Sequence, residues 1–388
     1  MALLELAFRA NPRYELVVFD RLPPGDRERF AALPREPDSY GVLRPAPDTG
    51  LGWKAVDRDT ALLLFTLREP GRLPAYVGTS LGVVAHRTIA RLVAEGILEA
   101  DDGEGFVSGA AASRLLGMTP STGEGDAGRL RALSTAALVH AQALALADPL
   151  ALAGHLYGYN RWPLTPGWKR RLPDGEAVRG FLGIASGGVN RRLLERSFLD
   201  LASSPSWLSW YSRSRRRAGA PTGEGGRVYK LYLSTPPETL GENFGEILGA
   251  FAAADVPQFK VGAGVHGVLR PDKLVAHFGS FEQLAEAAVV LTERVAGLAV
   301  QGVPFTAEIG GDGLLSWGMD PPAAEARFLG GAPSWRSWLC RRLARALLDA
   351  KATPADPAAA EPWRFALERL RLEGIDTGSW TPGALLWA

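Results

Sequence analysis

Residues 259–278 read FKVGAGVHGVLRPDKLVAHF, and how their three spaced glycines are read decides what kind of sheet this chain builds. Gly262, Gly264 and Gly267 form a G-x-G-x-x-G pattern directly after an apolar, strand-like segment. In a dinucleotide-binding fold that pattern opens a helix whose free amide groups meet the pyrophosphate. Here Val268-Leu269-Arg270-Pro271 follows instead. Pro271 lacks an amide donor and drives Arg270 towards extended backbone. KLVAHF, 273–278, then reads as a second strand. The glycines are therefore expected to make a turn between two strands, with no helix N-terminus for a nucleotide. Neither a G-x-x-x-x-G-K-[ST] loop nor the kinase H-R-D and D-F-G pair occurs in the chain.

Working outward, the cations stand out. In RVYKLYLST, 227–235, residues two apart share a face, so Lys230 and Tyr232 point together while Tyr229, Leu231 and Leu233 point the other way. In VPQFKVG, 256–262, Lys260 opposes Phe259 and Val261. If these two strands pair, Lys230, Tyr232 and Lys260 converge. Arg270 follows in the turn, and Lys273 shares a strand face with Val275 and His277. A lysine on an inward strand position is costly unless it is paired or functional. Lysines placed on an edge strand against aggregation are the alternative for any one of them. For the group, an anion site is the better account.

Three regions separate by pattern, and together they predict an α+β chain. Residues 219–388 alternate strands with helices: ETLGENFGEILGAFAAA (238–254), SFEQLAEAAVVLTERVAGLA (280–299) with the capping pair Ser280 and Gln283, and SWRSWLCRRLARALLDA (334–350) are helical. VPFTAEI (303–309) and GLLSWGMD (313–320) are strands. Residues 119–218 form a helical middle bounded by the connectors PSTGEGDAG (120–128) and RRRAGAPTGEGG (215–226), with helices over 129–147 and 187–202. Between those helices LYGYNRWPLTPGWKRRLPD (156–174) reads as an aromatic loop whose Tyr157, Tyr159, Trp162 and Trp168 pack rather than bind. The arginines 213, 215, 216 and 217 read as a solvated linker, or as a dock for an acidic peptide.

Residues 1–118 open with LLELAFRA and RYELVVFD, expected as a hairpin around Asn11-Pro12. A helical stretch over 57–71 and a second helix with Ile89, Leu92, Val93 and Ile97 at helical spacing follow, and Asp101-Asp102-Gly103 turns the chain into a short hairpin. Helix, helix and two-stranded wing make a winged-helix-like module. His86, Arg87 and Arg91 are too sparse a basic set for DNA, so no nucleic-acid partner is expected.

Bulk composition excludes further classes. Net charge is +1, so no global field draws nucleic acid or an acidic membrane. The single Cys340 rules out an intrachain disulfide and a thiolate cluster, and the five histidines show no H-E-x-x-H spacing. No apolar run reaches the length of a membrane span and no signal-like segment opens the chain, which predicts a cytoplasmic protein without membrane partners.

YKLYLS (229–234), FKVG (259–262), RPDKLVAHF (270–278) and LLSWGMDPP (314–322), in that order, resemble the HopA1-type effector family. Versions of that family serve as dehydration lyases in class V lanthipeptide and thioamitide biosynthesis, with a fold similar to phosphothreonine lyases. The resemblance covers 219–388 and part of the helical middle. The first region resembles instead the PqqD-type elements that bind a leader peptide as an added strand. The resemblance implies a lyase that removes phosphate from phosphoserine or phosphothreonine in a precursor peptide, leaving dehydroalanine or dehydrobutyrine.

By position, Lys260 would be the base, Lys230 the enolate stabiliser and Arg270 the phosphate ligand, with Lys273, Arg336 and Arg327 as further phosphate contacts. Tyr232 stands where those lyases carry the histidine of Lys-x-His, which leaves Tyr232, His277 and His266 as candidate proton donors. No cofactor is implied. The implied partners are the leader and phosphorylated core of the peptide and a separate kinase. A non-catalytic phosphopeptide- or leader-binding protein, and an effector acting on a host protein, are the alternatives.

Overall fold

A computed structural model describes residues 3–31, 37–47, 49, 51–118, 128–201, 204–215, 227–322, 333–352, 361–383 and 386. Arg216, Arg217, Arg327 and most of both connectors lie outside the described residues. The chain divides into two compact units, one of residues 1–123 with 342–375 and one of 124–341 with 376–388. Each mixes helices and sheets, so the chain is α+β. No helix among the described residues is long and apolar enough to cross a membrane.

In the first unit β1 (Ala7–Ala10) and β2 (Tyr14–Val18) are not the expected hairpin. After α1 (Pro24–Arg29), β3 (Ser39–Pro45) and β4 (Lys54–Asp57) join β2 in a three-stranded sheet of order β2-β3-β4. β1 is flanked instead by β5 (Gly71–Arg72) and β6 (Leu98–Asp101). The reason lies at the turn. The Asn11 side chain donates to Gly96 O at 2.7 Å and accepts from Arg13 N at 3.0 Å, which directs the chain away from its own partner strand.

Between these strands run α2 (Arg58–Thr66), capped by Asp57 accepting from Thr60 N at 2.6 Å, then α3 (Ala75–Leu81) and α4 (Ala85–Ala94). β6 turns back as β7 (Phe106–Val107). Ile89, Leu92, Val93 and Ile97 are all buried, packed with Phe8 and Leu64. Helix Pro362–Leu372 belongs to this unit, where Arg369 is buried with an ion pair to Asp349 at 2.6 Å.

The second unit is built on a seven-stranded sheet. Its helices α5 (Arg129–Ala143), α6 (Pro149–Gly158), α7 (Pro166–Arg171), α8 (Gly175–Phe181) and α9 (Arg191–Ser197) come first. α7 and the last turn of α6 fall within the expected aromatic loop, and Asp148 and Thr165 cap these helices just ahead of a proline at the first helical position. The segment expected as one helix over 187–202 ends at Ser197 and continues as β8 (Phe198–Asp200), which pairs with β9 (Trp207–Ser212).

Then follow β10 (Tyr229–Leu233), α10 (Pro237–Ala253), β11 (Gln258–Gly262), the single turn α11 (Val265–Val268) and β12 (Leu274–Phe278). α12 (Phe281–Arg294), β13 (Ala307–Ile309), β14 (Leu315–Met319) and the start of helix Trp335–Lys351, whose residues from 342 on belong to the first unit, complete the order. The sheet order is β13-β14-β10-β12-β11-β9-β8, antiparallel throughout. β8 and β9 precede residue 218, so the expected boundary at 218/219 cuts through one sheet.

The opening stretch is a strand–turn–strand unit, since β11 and β12 pair antiparallel. One turn of helix forms inside the glycine segment, where a turn without a helix is expected. The spacing of the glycines has a steric cause. A Cβ on Gly267 would lie 2.7 Å from Gly262 Cα, and one on Gly262 would lie 2.6 Å from Gly267 Cα. The backbones of β11 and α11 touch there, and a side chain at either position would push the α11 turn off the end of β11.

Candidate functional site

Because successive side chains alternate, the sheet has two faces. Leu231, Leu233, Phe259, Val261, Leu274, Ala276, Phe278, Leu208 and Trp210 form one, packed with Phe244, Ile247 and Phe251 of α10 and Leu284 and Leu291 of α12. The opposite face is polar, and the cross-strand register defines it. Lys230 faces His277 on one neighbour and Gly318 on the other. Tyr232 faces Val275 and Ser316, and Lys260 faces Val275 and Ser209. β10 and β11 do not pair as expected; β12 lies between them. Lys230 and Lys260 still share the face, because both are opposite odd-numbered residues of β12.

Each charged group on this face has a distinct setting. Lys230 is ion-paired with Asp320, and both side chains are mostly buried. Asp320 also accepts from Trp335 N at 3.0 Å, which ties it to the start of helix Trp335–Lys351. Lys260 has no ion pair among the described residues; its Nζ lies 4.4 Å from the centre of the Trp207 ring. Partial burial, with Lys230 as the next contribution, lowers its pKa to about 8. A neutral amine is therefore accessible at mildly alkaline pH, as a general base requires.

Arg270 stacks beside the same indole, 5.0 Å from its centre, but its fork is taken. Its Nε and Nη2 donate to the two oxygens of Asp272, each at 2.8 Å, and Nη2 also donates to Tyr157 Oη at 2.7 Å. Tyr157 in turn donates to Asp272 at 2.8 Å. Arg336 lies 2.9 Å from the same carboxylate. Burial alone would raise the Asp272 pKa, yet Arg336 and Arg270 hold it well below the usual carboxylate range. Sequence reasoning missed Tyr157 and Asp272. The Arg-Pro-Asp triplet was in view, but the Tyr157 partner lies 115 residues away from Asp272.

The remaining candidates serve inside the fold. Arg336 is fully buried; it donates to Pro304 O at 3.0 Å and Tyr157 O at 2.8 Å. Lys273 is also fully buried, donating to Thr235 O at 2.7 Å and to Gln301 Oε1. Burial lowers its pKa to about 7. Gln301 Nε2 bonds Asn160 O at 2.6 Å, so Lys273 anchors the 299–305 segment that places Val303 against Tyr232 and Val275. Tyr232 is buried, and burial raises its phenol well above its ordinary pKa. Two polar atoms of this face, His277 Nε2 and Ser316 Oγ, are buried without a hydrogen-bond partner among the described residues. Among the described residues no group of three or more His, Cys, Asp or Glu side chains could hold a metal ion.

The structure thus brings Lys230, Lys260, Arg270 and His277 to one sheet face and sets Lys273 and Arg336 in the interior around it. No protein-family model matches the chain, and no curated protein matches it. Two solved structures are similar in part. The effector protein from Pseudomonas syringae pv. tomato strain DC3000 is 12% identical with a TM-score of 0.38, covering 65% of this chain and 98% of that one. The effector protein from Pseudomonas syringae pv. syringae strain 61 is 10% identical with a TM-score of 0.37, covering 66% and 98%.

Proposed function

We propose that this protein is a lyase that eliminates phosphate from phosphoserine or phosphothreonine in a peptide, after a separate kinase has added it. The observation that carries the reading is Lys260: a half-buried lysine with no carboxylate partner among the described residues, its pKa lowered beside Lys230. An unpaired amine of that kind can remove a Cα proton. Lys230 supplies a fixed positive charge for the enolate oxygen that develops. Arg270 keeps Nη1 for a phosphate oxygen, while Asp272 and Tyr157 hold the guanidinium in place. In the first unit the three-stranded sheet ends in β2, whose outer edge has no strand partner among the described residues. An extended leader segment would add there through main-chain hydrogen bonds.

A second reading, a phosphopeptide-binding protein without chemistry, is favoured by one observation. Tyr232, in the position that resemblance gives to the proton donor, is buried and holds its proton tightly.

Incubation of the purified chain with a synthetic phosphoserine peptide separates the two by mass spectrometry. Elimination yields a peptide one water lighter than the serine form, whereas hydrolysis would yield serine itself. Lys260→Ala should lower the rate at least about a hundredfold and leave phosphopeptide affinity within about tenfold, because a base acts in the transition state rather than in ground-state binding. Tight binding by the wild-type chain with no loss of phosphate would leave the binding reading in its place.

A further inference from the structure

Trp207 meets two of the cations that the proposed chemistry uses. The Lys260 Nζ lies 4.4 Å, and the Arg270 guanidinium carbon 5.0 Å, from the centre of its ring. The two charges are therefore no further apart than the sum of those distances. All three residues keep some solvent exposure, as groups that meet a substrate must. The fold fixes the ring in place. Trp207 opens β9, where its N–H donates to Ser204 O at 3.2 Å and its carbonyl accepts from Ser204 N at 3.1 Å. Ala263 N donates to Ser206 O at 3.0 Å and ties that turn to the end of β11. Across the ladder Trp207 stands opposite Gly262, which has no side chain, so the indole has room along β11 towards Lys260. It also packs against Tyr232, Val275 and Val303.

Like charges this close repel, and Lys230 adds a third cation beside Lys260. A carboxylate would relieve the repulsion, but it would also raise the pKa of the amine and take Nη1 of Arg270. An aromatic face attracts both cations through its quadrupole yet carries no net charge, so the amine can still lose its proton.

We propose that Trp207 is a positioning residue, whose ring holds the Lys260 amine and the Arg270 guanidinium at a set separation. The assignment rests on the lyase reading above, in which the amine meets the Cα hydrogen and the guanidinium meets the phosphate. In a phosphoserine residue those two points are held apart by the Cα–Cβ–O–P chain. Base and phosphate ligand must therefore keep a matching distance. A loose pair would bind the phosphate with the amine out of line, and a misplacement of about 1 Å costs about 10²-fold in rate.

The test changes the charge on the ring face and keeps its shape. Trp207 alone is replaced by a singly and then a fully fluorinated tryptophan, whose fluorines draw electron density off the face. The titration of Lys260 is followed by NMR on protein with isotope-labelled lysine, its signal assigned by its loss in Lys260→Arg. The charged and titratable groups around that amine stay as they are: Lys230 on β10, His277 on β12, Tyr211 on β9, Asp320 after β14, and Arg270 and Asp272 ahead of β12. With less attraction for the cation, the midpoint should fall stepwise, by about half to one pH unit in all. Trp207→Leu should lower kcat on a phosphoserine peptide about 10²-fold, while Trp207→Phe, which keeps a ring, should stay within about tenfold of the wild type. A midpoint unmoved by full fluorination would overturn the assignment, and so would a Trp207→Leu protein that keeps its kcat. Fluorination preserves the packing, so that arm decides even where Trp207→Leu does not fold. A wild-type chain that eliminates no phosphate ends the lyase reading and the positioning role with it. Elimination by the wild type with an unmoved midpoint in the fluorinated proteins ends only the role of Trp207.

Discussion

On one face of the seven-stranded sheet Phe259 stacks on Trp210 at 5.1 Å and meets Phe198 and Phe251 edge-on at 4.9 and 5.2 Å. One residue along the same strand, on the other face, Lys260 meets the ring of Trp207 and the charge of Lys230. Adjacent residues of a single strand thus serve opposite ends. The aromatic face contributes buried area and close packing, which stabilise the unit. The polar face gathers cations and unpartnered polar atoms, which cost stability and are worth keeping only for what they bind. The two faces also differ in how they are closed. Helices α10 and α12 cover the first. The second is bordered by Tyr157 of α6, the anchored 299–305 segment and the start of helix Trp335–Lys351, where Trp335 packs on Gly318.

The comparison can be broken most sharply on the aromatic face. Phe259→Ala should destabilise the protein by about 3–5 kcal/mol, through lost burial and the cavity left among three rings. Urea unfolding measures it; a loss below about 1 kcal/mol would mean the face is loosely packed.

On the polar face the sign should reverse. Lys260→Met should stabilise the protein by about 2 kcal/mol at pH 7, once solvent screening of the half-buried amine is allowed for. The lysine pKa is lowered on folding, from 10.5 to about 8, so below about pH 8 both states are charged and the burial penalty is complete. Between about 8 and 10.5 the unfolded state binds more protons and stability rises with pH. The gain from Lys260→Met should therefore shrink across that window. A gain that stays constant from pH 7 to 11 would show that packing, not charge, was the cause.

The smallest effect concerns the cover of the aromatic face. Ser280 Oγ accepts from Gln283 N at 3.2 Å and caps α12. Ser280→Ala should cost about 1 kcal/mol in thermal or urea unfolding, and it should not alter any activity on the polar face. A change in activity without a change in stability would mean that the two faces are coupled through β12.

Much of this was legible along the chain. The alternation in YKLYL and QFKV placed Lys230 with Tyr232 and set Lys260 against Phe259, because period two belongs to the strand itself. Ser280 and Gln283 marked the start of α12 by a hydrogen bond three residues long. Lys273 was not legible in the same way. It has the strand parity of His277, yet its amine turns to Thr235 O and Gln301, and nothing near it in sequence signals those acceptors. Arg270 suited a phosphate by type, but its fork closes on Asp272, two residues on.

By itself the sequence determined β10, β11, β12 and β14, the alternation of their two faces and the turn after β11, where Gly262 and Gly267 leave room for backbone against backbone. Only the tertiary structure decided which strands are neighbours: β12 between β10 and β11, β8 and β9 at the edge, and β1 with β6 rather than β2. Side-chain alternation is imposed within a few bonds along the chain. Strand partnership is settled by hydrogen bonds and packing between residues tens of positions apart, and local pattern does not encode those.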